Sequence, residues 1–192
     1  LRSGSFFEFG IGPADGISYD RLEGNFVALQ KQGWTGVFLD GQPARGGCPI
    51  RQEFITALNI NQLFVRHAIP PDLDLMSIDV DGQEFWIWMA LRYRPKVMVV
   101  EINGGLGIEP SVTIGFDIHH RWDGTLYHGA SLRAIDKLAR CKDYSLVWSN
   151  GINAIAIRDD LISNLSDFVL EDLFRPYPPH LPDPKNRPWV EI

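Results

Sequence analysis

The sequence predicts an open α/β domain: a mostly parallel sheet with helices on its faces, closed by an antiparallel hairpin. Three observations predict it. Apolar runs ending in a glycine turn or an acid recur at residues 5–16, 36–41, 73–82 and 95–103. Stretches with apolar residues at helical spacing separate them. Near the end, Asn150-Gly151 divides two apolar runs, the strongest short hairpin signal available.

The first run is SFFEFGIGPADG. Phe6, Phe7 and Phe9 break into Gly10-Ile11-Gly12, with Gly16 four residues on. A strand that turns through glycines into a helix lets backbone approach a nucleotide-like ligand and presents free helix N–H groups. The spacing is G-x-G-x-x-x-G, not the G-x-G-x-x-G of dinucleotide enzymes.

Residues 18–32 read as the first helix, with Ser18 as N-cap, Leu22, Phe26 and Leu29 inward, and Gly33 as its stop. The second strand, 36–41, ends in Asp40, where an acid can accept hydrogen bonds from both ribose hydroxyls. Residues 42–52 are too broken by Gly and Pro for a helix. Glu53-Phe54-Ile55 is the expected third strand. A helix capped by Thr56 is expected over 57–67, with Leu58, Leu63 and Phe64 inward.

Residues 73–80 form the fourth strand and end in Asp79-Val80-Asp81-Gly82. Period two puts the two carboxylates on one side of the chain. Such a pair is costly to bury without a metal ion, a ligand amino group or helix N–H groups. The alternative is that Asp81 caps the next helix, 83–92, whose aromatic residues read as core. The fifth strand, 95–103, ends in Glu101 and Asn103. Glu8, Asp40, Asp79, Asp81, Glu101 and Asn103 are thus expected to gather along one rim of the sheet.

Residues 104–129 lack periodicity and carry Asp117, His119, His120, Trp122, Asp123, Tyr127 and His128, which reads as a substrate-facing lid. An amphipathic helix over 131–142, the hairpin strands 144–148 and 152–157, and a last helix over 162–174 complete a domain of residues 1–175. The Pro-rich tail, 176–192, either lies extended on the body or is loose.

The totals narrow the function. The chain of 192 residues, 45% apolar and 22% charged, fits one soluble domain. A net charge of −6 without any Lys/Arg run argues against a nucleic-acid surface. Cys48 and Cys141 stand far apart with no C-x-x-C, as expected of free thiols in a reducing, cytoplasmic setting. No apolar run is long enough for a membrane span, and no signal peptide is evident. Because the chain opens at Leu1, it reads as a domain cut from a longer protein.

Together these residues resemble the class I S-adenosylmethionine-dependent methyltransferases, and more narrowly the FkbM-like family. The motifs are the E-F-G-x-G strand end, Gly33-Trp34-Thr35-Gly36-Val37, Ser77-Ile78-Asp79-Val80-Asp81-Gly82 before an aromatic helix, Glu101-Ile102-Asn103, Gly129-Ala130-Ser131-Leu132, and a hairpin carrying Asn153 and Arg158-Asp159-Asp160. The resemblance implies a three-layer Rossmann-like methyltransferase fold, with a mixed seven-stranded sheet whose last strand is antiparallel. It implies S-adenosylmethionine as cofactor. Gly10, Gly12 and Gly16 would pass under its methionine part, with Glu8 at that loop. Asp40 would hold the ribose, and Asp79 would approach the cofactor's amino group or the acceptor. Two features depart from the pattern: residues 42–52 are short for the usual second crossover helix, and no acid follows strand three.

Methyl transfer from a sulfonium is an in-line displacement, so alignment and water exclusion are the protein's main work. Asp81, Glu101 and His128 are the candidates to take a proton from a hydroxyl acceptor. The expected reaction is O-methylation of a small hydroxylated molecule, a sugar or natural product. A metal-assisted version places Mg²⁺ on Asp79, Asp81 and Asn103. The alternative from another class is a non-catalytic interaction domain of a larger protein.

Overall fold

The structure is a computed structural model that describes residues 3–11, 24–42, 49–163, 169–178 and 180–192. In chain order the elements are β1 (Ser5–Phe9), α1 (Val27–Lys31), β2 (Thr35–Asp40), β3 (Ile50–Gln52), α2 (Ile60–Arg66), β4 (Leu75–Ile78), α3 (Glu84–Ala90) and β5 (Val97–Glu101). They continue with β6 (Val112–Ile114), α4 (Leu132–Cys141), β7 (Tyr144–Ser149), β8 (Asn153–Arg158), α5 (Leu170–Leu173) and β9 (Trp189–Glu191).

Seven strands form one sheet in the order β3-β2-β1-β4-β5-β8-β7. The first five run parallel, while β8 is antiparallel to both β5 and β7. This is the mixed Rossmann-like sheet that the sequence predicts. Parallel strands covered on both faces need apolar side chains on both sides, and β1 shows it. Phe7 and Phe9 pack with α2, α3 and α4 residues in one core cluster, and Phe6 joins Phe26, Val27 and Phe38 in the other. Ring contacts continue each side, Phe7–Phe64 at 5.0 Å and Phe6–Phe38 at 4.8 Å between centroids. Trp88 of α3 meets Tyr144 of β7 edge-on at 5.7 Å. The Tyr144 hydroxyl, buried with that ring, donates to the Pro95 carbonyl at 2.5 Å.

Several expected boundaries move. The third strand is Ile50–Gln52, not residues 53–55. The Glu53 N–H still donates to the Asp40 carbonyl, and the chain then leaves the ladder. α2 starts at Ile60 rather than residue 57, because Asn59 folds back: its side-chain oxygen accepts from the Thr56 N–H at 2.8 Å. Thr56 is therefore not the cap, and Leu58 is 68% exposed rather than inward. The first helix retains only Val27–Lys31 among the described residues, and most of its expected first half lies outside them. The last helix shortens to Leu170–Leu173.

The long stretch 104–129 is not structureless. It contains β6, which pairs antiparallel with β9 of the Pro-rich tail. Neither strand shows an apolar run long enough to be read from sequence. The tail is fastened further by side chains. Arg187 reaches Asp123 at 2.9 Å and Asp183 at 2.9 Å, and lies over the Tyr127 ring at 4.4 Å. Ser111 and Lys137 both donate to the Ile192 carbonyl. No helix among the described residues is long and apolar enough to cross a membrane.

Deleting a buried aromatic from this core forfeits both burial and packing. Trp88→Ala is expected to lower unfolding stability by about 3–5 kcal/mol in urea titration.

Candidate active site

The sheet's C-terminal edge brings together strand ends far apart in sequence. Across β2, β1, β4 and β5, the residues at or just past the ends are Asp40, Gly10, Asp79 and Glu101. Gly10 has φ +82, and a Cβ there would lie 1.1 Å from the Asp79 carbonyl oxygen. Only glycine lets the first turn close against the end of β4. Gly12 and Gly16 lie outside the described residues.

A cavity of about 260 Å³ opens on this edge. Gly10, Asp40, Asp79 and Asp81 form its floor, residues 54–57 one wall, and Phe116, His120, Arg121 and Trp122 of the lid stretch the other. Asp40 is 7% exposed and accepts from the Gln42 N–H at 2.7 Å. The Arg121 guanidinium lies 4.3 Å over the Phe54 ring and draws the two walls together. A wider hollow, lined by Asn61, Val65, Arg66 and Tyr93 among others, lies on the α2 side away from the strand ends.

The turn after β4 is shaped by a residue the sequence reading passed over. Glu84, fully buried, accepts from the N–H groups of Val80 at 2.9 Å and Gly82 at 2.8 Å. Asp81, between them, adopts φ +58 and does not cap α3, whose N-cap is Gln83. Asp79, Asp81 and Glu101 each offer an oxygen within 4.8 Å of the others.

So many carboxyls in one place resist ionisation. Burial, then the charges of Glu84 and Asp81, push Asp79 up to about 7. Burial, then Glu84 and Asp79, hold Glu101 well above the usual carboxylate range. Burial raises Glu84, and burial with Asp40 raises Asp81.

Glu8 does not join the rim. It sits mid-strand on the α1 face, and its two oxygens accept from the N–H groups of Asn25 at 2.5 Å and Phe26 at 2.9 Å. Burial raises it to about 7 as well. The Asn103 amide nitrogen donates to the carbonyls of Leu126 and His128. His128 stands apart from the first cavity, on a second one of about 150 Å³ that it shares with Glu101, Asn103 and Trp122. Trp122 takes the place in the lid expected of it, Phe54 lines the cavity from a segment expected to be a strand, and Arg121 is a wall residue that the sequence reading did not single out.

No family model matches the chain, and no curated protein matches it. Among solved structures it is similar to the MycE methyltransferase from the mycinamycin biosynthetic pathway, in complex with Mg, SAH and mycinamycin VI. The identity is 16% and the TM-score 0.47, over 83% of this chain and 46% of that one. The chain thus spans about half the length of that protein.

The raised carboxyls make stability depend on pH with a definite sign. Unfolded, Asp79 loses its proton near 3.8; folded, it keeps it to about 7. Between those values the folded state binds more protons, so this contribution is full at the acid end and is lost as pH rises to about 7. In the presence of a chelator, urea midpoints are expected to fall across that interval. Asp79→Asn is expected to flatten the fall.

Proposed function

We propose that the chain is an S-adenosylmethionine-dependent methyltransferase that methylates a hydroxyl group of a small molecule. The observation that carries this reading is the cavity bounded at once by Gly10, Asp40 and Asp79, the ends of three adjacent parallel strands. In open α/β sheets this is the edge where nucleotide-like ligands sit.

When bound, S-adenosylmethionine supplies a methyl group already activated on a sulfonium. Asp40 would accept the ribose hydroxyls, and backbone at Gly10 would run beside the methionine part. The exposed side of the Phe54 ring, away from Arg121, offers a surface for adenine. The acids suit the ligand's charge, because a sulfonium and an ammonium are both cations and Asp79, Asp81 and Glu101 are clustered carboxyls. The lid residues 116–122 would exclude water and hold the acceptor in line. A net charge of −6 favours a neutral or cationic small acceptor over nucleic acid.

A metal-assisted version rests on the three oxygens within 4.8 Å. The set holds Asp79 and Asp81, as expected, with Glu101 as the third carboxyl. All three donors are carboxylates, the type that Mg²⁺ prefers. With a metal there, these residues would hold it against paired hydroxyls of the acceptor.

Calorimetry with S-adenosylmethionine and its demethylated product tests the reading. Both are expected to bind, and Asp40→Ala is expected to weaken both by about 10–100-fold, the loss of a charged hydrogen-bond acceptor of about 1.5–3 kcal/mol. Absence of heat from either ligand would overturn it. Near neutral pH, binding is also expected to release protons, because a cation beside Asp79 lowers a carboxyl now titrating at about 7. Repeating the titration in buffers of different ionisation enthalpy reads that release. Addition of Mg²⁺ is expected to raise the melting temperature of the wild type and not of Asp81→Asn; equal shifts would remove the metal version.

A further inference from the structure

The second cavity has the features of a ligand site in its own right. It is lined by Glu101, Asn103, Trp122, His128, Tyr177 and His180, with the turn at Gly151 and Ile152. Its rings pack against one another edge-on or tilted. Trp122 lies 5.1 Å from His128 and 4.9 Å from His180 between centroids, and the two histidines are 5.0 Å apart. Tyr177 adds a fourth ring, 6.1 Å from His180. One buried polar atom of its lining, His128 Nε2 on a residue only 5% exposed, has no partner among the described residues. Buried polar atoms of folded proteins are seldom left so.

We propose that this cavity holds a neutral, hydroxylated six-membered ring of the acceptor, such as a pyranose. The proposal rests on the methyltransferase reading, but concerns a different cavity. At about 150 Å³ the space is smaller than the roughly 300–1,000 Å³ of a drug-sized ligand's pocket, so it takes one ring and not a large body. Aromatic walls suit the C–H face of such a ring. A hydroxyl both donates and accepts, so it satisfies His128 Nε2 in either tautomer and a carboxyl beside it. An anionic ligand would meet Glu101 and the nearby Asp79 and Asp81, and pay their repulsion. The two cavities share Trp122, and Glu101 of the second lies within 4.8 Å of Asp79 and Asp81 of the first. That places a ring hydroxyl beside the acids that floor the cofactor cavity. Tyr177 and His180 come from the Pro-rich tail, so the tail sets which ring is accepted.

Saturation-transfer NMR on the whole chain, loaded with the demethylated cofactor product, tests this. The probes are methyl glucoside, methyl galactoside and methyl rhamnoside, with glucose 6-phosphate as the anionic, charged control. At least one neutral glycoside is expected to bind, more tightly than that control. His180→Ala is expected to weaken it about tenfold, while calorimetric affinity for the cofactor product stays unchanged. Binding by none of the neutral glycosides, preference for a charged control, or equal binding by His180→Ala would overturn the proposal. Cofactor binding with no glycoside binding refutes the ring site alone; no cofactor binding refutes the methyltransferase reading instead.

Discussion

The buried carboxylate of Glu84 is the constraint on which the rim depends. Among the described residues it accepts from backbone N–H groups, those of Val80 and Gly82. Those bonds bend the chain after β4 into a turn that throws Asp81 into a left-handed conformation and aims Asp79 and Asp81 at the strand ends. Gly10 completes the arrangement from the other side, because nothing larger fits against the Asp79 carbonyl. The site's acids therefore owe their positions to backbone geometry on two neighbouring strands, and Glu101 is in turn hydrogen-bonded to Asp79 and Glu84. Their mutual repulsion is tolerated by keeping protons on some of them.

Charge organises the site in a second way. The acids are crowded at the floor, while among the described residues Arg121 lies on Phe54 and Arg187 pairs with Asp123 and Asp183. A floor of carboxyls is a place for a ligand that brings its own positive charge. The same field disfavours phosphates, consistent with an acceptor that is neutral or cationic.

Much of this was legible in the sequence, because the parallel strands are short apolar runs whose ends are marked by acids and glycines. Asp40, Asp79, Asp81 and Glu101 could be placed at strand ends from period and punctuation alone. Glu8 could not be separated from them, since its orientation toward α1 depends on N–H groups seventeen and eighteen residues away. β3 and α2 shifted because Asn59, not Thr56, arranges the turn between them, a choice between two ordinary capping residues. β6 and β9 were invisible: three residues each, they form only because Val112–Ile114 finds Trp189–Glu191 far along the chain. For the same reason the second cavity, built from the lid, the hairpin turn and the tail, has no local signature.

The roof over the rim is held to the tail by ion pairs that are only partly shielded from water; Arg187 and Asp123 retain 23% and 30% side-chain exposure. Dissolved electrolyte weakens such clasps far more than it weakens the apolar sheet beneath. Ionic strength thus becomes a throttle on traffic through the roof, quickening entry and escape while leaving the scaffold's resistance to denaturation almost untouched.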